Sequence, residues 1–150
     1  ITIYFIWLFL IINFLKKMIT KEIINIASNA SNVGLNNNYS HKISLKNKLC
    51  GDKITVELVV IKKRILSMKY ETESCIYCEA SASLLSKKIK RLNIQSIKND
   101  FTNLKKILKK REIKIPKKFS DFKKLFTSDN FSRFNCIFLP FDAVIKALKL

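Results

Sequence analysis

The sequence predicts an α+β domain in which a three-stranded antiparallel sheet packs against several helices. Between Ser40 and Thr72, three segments alternate apolar and polar residues, as half-buried strands do. Short connections separate these segments, which favours antiparallel pairing of neighbours. Beyond Cys75, apolar residues recur at the spacing of helices that are buried on one side. With 150 residues, of which 48% are apolar, the chain is long enough for one domain with its own core.

Residues 1–15 form an uncharged apolar run, which is followed by Lys16-Lys17. Three interpretations compete: a membrane anchor, a buried core segment, or sequence that is not part of the working protein. A membrane span needs about 20 apolar residues, which is longer than this run. Met18 follows at once and begins an amphipathic helical pattern over residues 18–29. We therefore interpret residues 1–17 as an apolar leader, either upstream translated sequence or a non-functional extension, and residues 18–150 as the working domain.

The strands and later helices follow in order along the chain. The first predicted strand runs from Ser40 to Lys46 and the second from Lys53 to Ile61. In the third, from Ile65 to Thr72, the alternation is expected to place Leu66 on the same face as Met68 and Tyr70. Helical spacing is predicted for residues 78–91, 94–100, 101–111 and 119–126, and a final helix from Pro140, a favoured first-turn residue, to about Leu148.

The chain is strongly basic, with 29 basic and 11 acidic residues and a formal net charge of +18. Such a charge favours binding to nucleic acid, an acidic membrane surface or an acidic protein. A compositional origin is the alternative, since lysine, asparagine, isoleucine and phenylalanine are abundant together. Only four arginines occur, whereas dedicated nucleic-acid-binding proteins are usually richer in arginine. We therefore expect neither nucleic acid nor membrane as a partner, and the run from Lys105 to Lys118 as the candidate surface for an acidic protein.

Several classes of function are excluded by residue counts alone. Gly34 and Gly51 are the only glycines. The chain therefore contains neither of the glycine-rich nucleotide-binding motifs, Gly-x-Gly-x-x-Gly and Gly-x-x-x-x-Gly-Lys. With His41 as the only histidine, no convincing Ser-His-Asp or Cys-His catalytic arrangement can be assembled.

Four cysteines and one aspartate form the candidate site. No secretory signal is recognisable, so we expect a cytoplasmic protein whose cysteines serve metal or sulfur chemistry rather than disulfides. Cys50-Gly51-Asp52 separates two predicted strands, Cys75 precedes a helix whose positive end should lower its pKa, and Cys136 lies between two short helical segments. Three thiolates and one carboxylate are suitable ligands for zinc or iron.

Cys78 leaves three interpretations open. It could be a fourth thiolate ligand, or it could form a Cys-x-x-Cys redox pair with Cys75. It could equally be a small buried residue in the first turn of a helix, because free cysteine packs well in protein cores. The small residues that follow, Ala80-Ser81-Ala82-Ser83, favour close packing of that helix on the sheet.

Three motifs resemble those of a known family. The runs are Leu49-Cys50-Gly51-Asp52-Lys53-Ile54, Cys75-x-x-Cys78-x-Ala80-Ser81-Ala82-Ser83-Leu84 and Arg133-x-x-Cys136. In this order they look like the three cysteine motifs of the iron–sulfur scaffold proteins of the IscU/SufU/NifU N-terminal family. The resemblance implies an α+β fold, a metal site made of Cys50, Asp52, Cys75 and Cys136, and a SufS-like cysteine desulfurase as sulfur donor.

Within that family the chain resembles SufU more than IscU. The separation of Cys75 and Cys136, 136 − 75 = 61 positions, is similar to that in SufU proteins. The Leu-Pro-Pro-Val-Lys segment of IscU proteins is missing, and the residue before Cys136 is Asn135 where IscU proteins have histidine. Arg133 resembles the arginine that SufU proteins have at this place, and would hold the Cys136 segment or its charge.

The resemblance also implies a function. The chain would bind zinc, iron or a transient [2Fe–2S] cluster and pass it to recipient proteins. It would accept a persulfide from the desulfurase, on Cys50 by analogy with SufU or on Cys136 by analogy with IscU. This makes it a scaffold or sulfur acceptor rather than a stand-alone enzyme. The alternative is a basic nucleic-acid-binding domain with a structural zinc ion.

Overall fold

The computed structural model describes residues 2–17, 21–110 and 114–150 of the chain. Its helices are α1 (Thr2–Lys17), α2 (Lys21–Ser28), α3 (Ile76–Lys88), α4 (Ile94–Lys109) and α5 (Phe134–Ala147), and its strands are β1 (His41–Lys46), β2 (Lys53–Ile61) and β3 (Arg64–Glu73). Short 3-10 helices cover Ile89–Arg91, Lys117–Phe122 and Ser128–Arg133. Met18, the predicted start of the working domain, lies outside the described residues.

The predicted three-stranded antiparallel sheet is confirmed, with β2 between β1 and β3. One face of β2 is buried, because Ile54, Val56 and Leu58 have no exposed surface. Helices α3 and α5 pack against each other and against this sheet. The core therefore lies between the sheet and these two helices, as expected for an α+β domain.

A β-bulge changes the register of the second hairpin. Val60 is opposite Ile65, but Val59 is opposite Ser67, so Leu66 is an extra residue in β3. An extra residue reverses the alternation of side chains on one strand. Ile65 is consequently buried and Leu66 is 47% exposed. The prediction that Leu66 shares a face with Met68 and Tyr70 is wrong for this reason.

The turn between β2 and β3 consists of two lysines in the left-handed backbone region. Lys62 has φ 49° and Lys63 has φ 62°. Two-residue hairpin turns of this shape prefer Asn-Gly, because glycine has no Cβ and asparagine tolerates a conformation that costs most other residues roughly 1–2 kcal/mol. The hairpin therefore presents two lysine side chains at its tip in a backbone conformation that other residues would adopt more easily.

Helix α3 packs closely because its inward residues are small. Ala80, Ser81, Ala82 and Ser83 are all buried, as predicted from the sequence. The Ser81 hydroxyl donates a hydrogen bond to the carbonyl of Ile137 at 2.6 Å. This bond satisfies a buried hydroxyl and fixes α3 against α5.

The phenylalanines of the C-terminal half form one packed cluster, as their helical spacing indicates. The rings of Phe101, Phe119, Phe122, Phe126 and Phe138 all lie within 6.4 Å of the Phe141 ring, centroid to centroid. Aromatic pairs at this separation are mutually attractive and bury large apolar areas. The cluster anchors α5 to the surrounding helices.

Three helix predictions need correction. The patterns at 94–100 and 101–111 form one helix, α4, which ends at Lys109, and the pattern at 119–126 forms a 3-10 helix over Lys117–Phe122. The last helix begins at Phe134, not Pro140, which lies inside α5. Burial of Ile137, Phe138 and Phe141 on one side of α5 outweighs the loss of one backbone hydrogen bond at Pro140. Cys136 therefore lies in the first turn of a helix rather than between two helices.

Helix α1 carries large apolar side chains that are exposed in the structure, among them Tyr4, Phe5 and Trp7. None of the helices in the described ranges combines the length and the apolar character needed to cross a bilayer.

Glu57 is a buried carboxylate, and both of its oxygen atoms accept hydrogen bonds. Its Oε1 is 2.9 Å from the Lys42 ammonium, and its Oε2 accepts the backbone N–H groups of Asn36 and Asn37 at 3.0 and 3.1 Å. Burial by itself would raise the pKa of Glu57, but the hydrogen bonds from Lys42 and the two N–H groups outweigh it, so the pKa is lowered. The charged form of Glu57 therefore stabilises the loop that leads into β1.

Replacing Glu57 with glutamine should destabilise the fold in a pH-dependent way. At pH 7 we expect a loss of about 1–3 kcal/mol in the free energy of unfolding, because a charged acceptor is removed from a buried network. The lowered pKa means that this contribution is present above the unfolded-state pKa of about 4.3 and disappears as the pH falls through the folded-state pKa.

Urea unfolding at pH 7 and at about pH 3 tests this prediction, with the exposed Glu73→Gln as control. The stability difference between wild type and Glu57→Gln should shrink at the lower pH, and Glu73→Gln should be neutral at both. A difference that is the same at both pH values would contradict the assigned role of the Glu57 charge.

Candidate metal centre

The loop between β1 and β2 is closed by its own backbone. The Asn47 N–H donates to the carbonyl of Asp52 at 2.7 Å, and the Gly51 N–H donates to the carbonyl of Asn47 at 2.8 Å. Gly51 has φ +78°, a conformation that residues with a Cβ rarely adopt. This turn directs Cys50 and Asp52, two residues apart, toward the same region. Asn47, which closes the loop, was not identified from the sequence.

The Asp52 carboxylate is buried with one oxygen unpaired. Only 7% of the residue is exposed. Its Oδ1 accepts the backbone N–H of Cys75 at 3.2 Å, while no hydrogen-bond partner for Oδ2 is found among the described residues. A buried charged oxygen without a partner is energetically costly unless a cation compensates for it. This oxygen is therefore in the condition expected of a metal ligand.

Cys136 approaches Cys50 from the first turn of α5. Their sulfur atoms are 3.4 Å apart, far longer than the about 2.05 Å of a disulfide. Two thiolates that bind one tetrahedral ion at about 2.3 Å are separated by roughly 3.7 Å. The ligand atoms of Cys50, Asp52 and Cys136 all lie within 4.8 Å of one another. Three of the four predicted ligands thus converge, although the chain separates Cys50 and Cys136 by 86 positions.

Cys75 is at the edge of this group. It is the N-cap residue of α3 and is half-buried, and its backbone N–H binds Asp52. The Cys75 thiol does not belong to the group whose ligand atoms lie within 4.8 Å of one another. The structure therefore brings Cys75 beside the converging ligands through its backbone contact with Asp52.

The N–H groups at the start of α3 lower the pKa of Cys75, as predicted, but burial outweighs them. Burial raises this pKa, the N–H groups of Cys78 and Tyr77 lower it, and the Asp52 carboxylate raises it again, with a net increase. The pKa of Cys136 is raised as well, chiefly by burial and then by the neighbouring Cys50, Cys75 and Asp52. Both thiols therefore hold their protons until a cation compensates for the thiolate charge, so metal binding should release protons.

Cys78 lies beneath this group, in the core. It has no exposed surface, and burial raises its pKa to about 12. Its thiol is not part of the group formed by Cys50, Asp52 and Cys136. This position favours the interpretation of Cys78 as a packing residue of α3.

Arg133 connects the two helix ends that carry cysteines. Its guanidinium lies over the ring of Tyr77, 6.0 Å from the centroid, and its side chain is otherwise exposed. Tyr77 is in the first turn of α3 and Arg133 directly precedes α5. A cation–π contact of this kind contributes about 0.5–1 kcal/mol at an exposed site. Tyr77 was not identified from the sequence, although it lies between Cys75 and Cys78.

The donor set fits a borderline or soft divalent metal. Zinc binds both thiolate sulfur and carboxylate oxygen, and thiolate sulfur also binds iron in clusters. A set of this kind would not suit magnesium or calcium, which prefer oxygen ligands. The unpaired Asp52 oxygen and the Cys50–Cys136 separation agree with such an ion.

A protein-family model matches most of the chain. The family model described as the NifU-like N-terminal domain matches residues 18–125, which include Cys50, Asp52 and Cys75 and end before Cys136. No curated protein matches the chain.

Solved structures share the fold. An N-terminal part of a NifU-like protein from Brucella abortus has a TM-score of 0.79 at 21% identity, covering 90% of this chain and 94% of that one. A protein from Fervidobacterium islandicum, described as an iron–sulfur cluster assembly scaffold for the SUF system, has a TM-score of 0.74 at 17% identity, with 87% and 96% covered. A hypothetical protein has a TM-score of 0.69 at 13% identity, with 88% and 100% covered.

Proposed function

Because this chain belongs to the NifU-like N-terminal domain family, we propose that it is a scaffold on which iron–sulfur clusters are assembled. The observation that carries the proposal is the convergence of Cys50, Asp52 and Cys136, with a buried carboxylate oxygen that no described group satisfies. Such an arrangement is costly without a cation and is suited to one. Cys75, held to Asp52 through its backbone N–H, completes the proposed set of four ligands.

The mixed ligand set suits a metal that is bound and later released. We infer that the three thiolates hold zinc or iron, and that Asp52 is the weakest ligand, since a carboxylate yields its position more readily than a thiolate. Asp52 follows Gly51 and directly precedes β2, so this ligand lies outside the strand. Arg133 would keep the start of α5, and with it Cys136, against α3 through its contact with Tyr77.

Sulfur would enter through Cys50 rather than Cys136. Cys50 is exposed and lies beside Leu49, which is 82% exposed, whereas Cys136 is 2% exposed. A desulfurase must bring its own persulfide into contact with the accepting sulfur. The Cys50 thiolate would attack the outer sulfur of that persulfide, the sulfur–sulfur bond to the desulfurase would break, and the desulfurase thiolate would leave. Cys50 would then carry the persulfide beside the other two converging ligands, Asp52 and Cys136.

The chain would thus act in the cytoplasm between a SufS-like cysteine desulfurase and recipient proteins. In this role it is a sulfur acceptor and metal carrier whose turnover depends on its partners.

The experiment combines the chain with a cysteine desulfurase, cysteine, ferrous iron and a thiol reductant under argon. We expect the wild type to develop the visible absorption of an iron–sulfur cluster. The Cys50→Ser variant should form less than about a tenth of that cluster, because it loses both a ligand and the persulfide site. Mass spectrometry of a short reaction without iron and without the thiol reductant should find the added sulfur on the peptide that contains Cys50.

Cys78→Ala is the matched control, because it removes a thiol that is outside the converging group. It should assemble the cluster as the wild type does. If Cys50→Ser also assembled a full cluster, or if the added sulfur were found only on Cys136, the proposed entry of sulfur through Cys50 would be wrong.

A further inference from the structure

A cleft lies at the end of the sheet away from the candidate metal centre. This cleft of about 520 Å³ is lined by five exposed cations, two amides and Leu92, and the cations are Lys62, Lys63, Arg64, Lys90 and Arg91. We call this the basic cleft. Strand β2 begins beside Asp52 and ends beside Lys62, and its nine residues span roughly 27–30 Å. The basic cleft and the metal centre are therefore on opposite ends of the domain.

No residue that lines the basic cleft neutralises its positive charge. No carboxylate lines it, and within residues 2–17, 21–110 and 114–150 none of its five cations forms an ion pair. The lysine run predicted to bind an acidic partner differs in this respect, because Lys105 pairs with Asp142 and Lys118 with Asp100. Like charges gathered in a concavity produce a strong positive potential and attract an anionic partner.

Backbone groups add to this potential. Helix α4 begins at the basic cleft, where the Asn93 side chain caps the N–H of Gln95 and no acidic residue occupies the first turn. The N-terminus of a helix carries a partial positive charge, which here points toward the cations. On the other side, the two turn lysines project from a hairpin tip with left-handed backbone at both residues. Strained backbone of this kind commonly marks a site where side-chain placement matters.

The lining indicates what kind of anion fits. Arg64 and Arg91 are two of the four arginines in the chain, and their planar forks bind carboxylates or phosphates through paired hydrogen bonds. Leu92 is the only apolar residue of the lining, and no aromatic ring is present on which a nucleotide base could stack. These features favour carboxylate groups on a flexible chain over nucleotides or single-stranded nucleic acid.

We propose that the basic cleft is a docking site for an aspartate- and glutamate-rich segment of a partner protein. A partner bound there leaves Cys50 accessible, because the cleft is at the opposite end of β2. The chain could thus be held by one protein while a desulfurase or a recipient contacts the metal centre. This surface goes beyond the proposed scaffold function and does not depend on it.

The test uses a fluorescein-labelled hexaglutamate peptide and measures its anisotropy with the full chain at about 150 mM salt, where long-range attraction is screened. Two variants remove two charges each from the basic cleft: Arg64→Gln/Arg91→Gln, and Lys62→Asn/Lys63→Gly. The second also installs the turn sequence that this hairpin geometry prefers, so it should fold at least as well as the wild type. Each should weaken peptide binding about tenfold, since charge-assisted hydrogen bonds are lost.

The control Lys106→Gln/Lys109→Gln removes the same charge from the exposed far end of α4 and should change binding by about twofold or less. Equal losses in the control and in the cleft variants would show that only net charge attracts the peptide, which would overturn the proposal. A labelled oligothymidylate that binds more tightly than the peptide, with the same dependence on the cleft arginines, would assign the cleft to nucleic acid instead and would also overturn it.

Discussion

Replacing Cys136 with serine should lower the affinity of the chain for zinc by more than about 100-fold. Removing a residue that merely hydrogen-bonds to a metal ligand already lowers metal affinity about 10–100-fold, and Cys136 is itself a proposed ligand. Cys136 places its sulfur 3.4 Å from that of Cys50 and is rigidly held, because it lies in the first turn of α5 with only 2% of its surface exposed. Serine keeps the shape but offers a hydroxyl, which is a poor ligand for zinc at neutral pH.

Competition with a chromogenic chelator measures this affinity for the wild type, Cys136→Ser and the control Cys78→Ala. Cys78→Ala should retain the wild-type affinity, because its thiol faces the core. An affinity that falls in Cys78→Ala as far as in Cys136→Ser would identify Cys78 as a ligand and would contradict the assignment of the site.

Replacing Phe141 with alanine should lower the free energy of unfolding by about 3–5 kcal/mol, which is a large part of the stability of a domain of this size. Phe141 is 1% exposed and its ring packs against those of Phe101, Phe122 and Phe138 at centroid distances of 4.8, 5.2 and 5.4 Å. Alanine would leave a cavity that the surrounding rings cannot fill without leaving their own packing.

Denaturant unfolding monitored by circular dichroism measures this loss. The matched control is Phe5→Ala in α1, where the side chain is 68% exposed and the change should be within about 0.5 kcal/mol. A loss below about 1 kcal/mol in Phe141→Ala would contradict the assignment of this ring to the centre of the core.

The sheet could be predicted closely because its signals are local. Alternation and short turns depend on neighbouring residues, and β2 has the predicted bounds of Lys53 and Ile61. The bulge at Leu66 could not be predicted in this way, since it depends on how two strands pair. The start of α5 was missed because the preference of proline for a first turn is weak beside the burial of a whole helix face.

The sequence indicates which residues are candidate ligands, but not how the fold brings them together. The residue types at Cys50, Asp52, Cys75 and Cys136 indicate metal chemistry in the sequence itself. Their convergence depends on α5 beginning at Phe134, which brings Cys136 to Cys50, and on the backbone contact between Cys75 and Asp52. The raised pKa of Cys75 follows from burial, which a linear pattern does not report. The division of the chain at residue 18 stays a prediction.

X-ray absorption at the zinc edge, on the zinc-loaded full chain, counts the ligands directly. We expect about one zinc ion per chain with three sulfur neighbours at about 2.3 Å and one oxygen neighbour at about 2.0–2.2 Å. Four sulfur neighbours would mean that Cys78 takes the place of Asp52. A folded chain that binds no metal would contradict the central claim, that Cys50, Asp52, Cys75 and Cys136 form a metal centre.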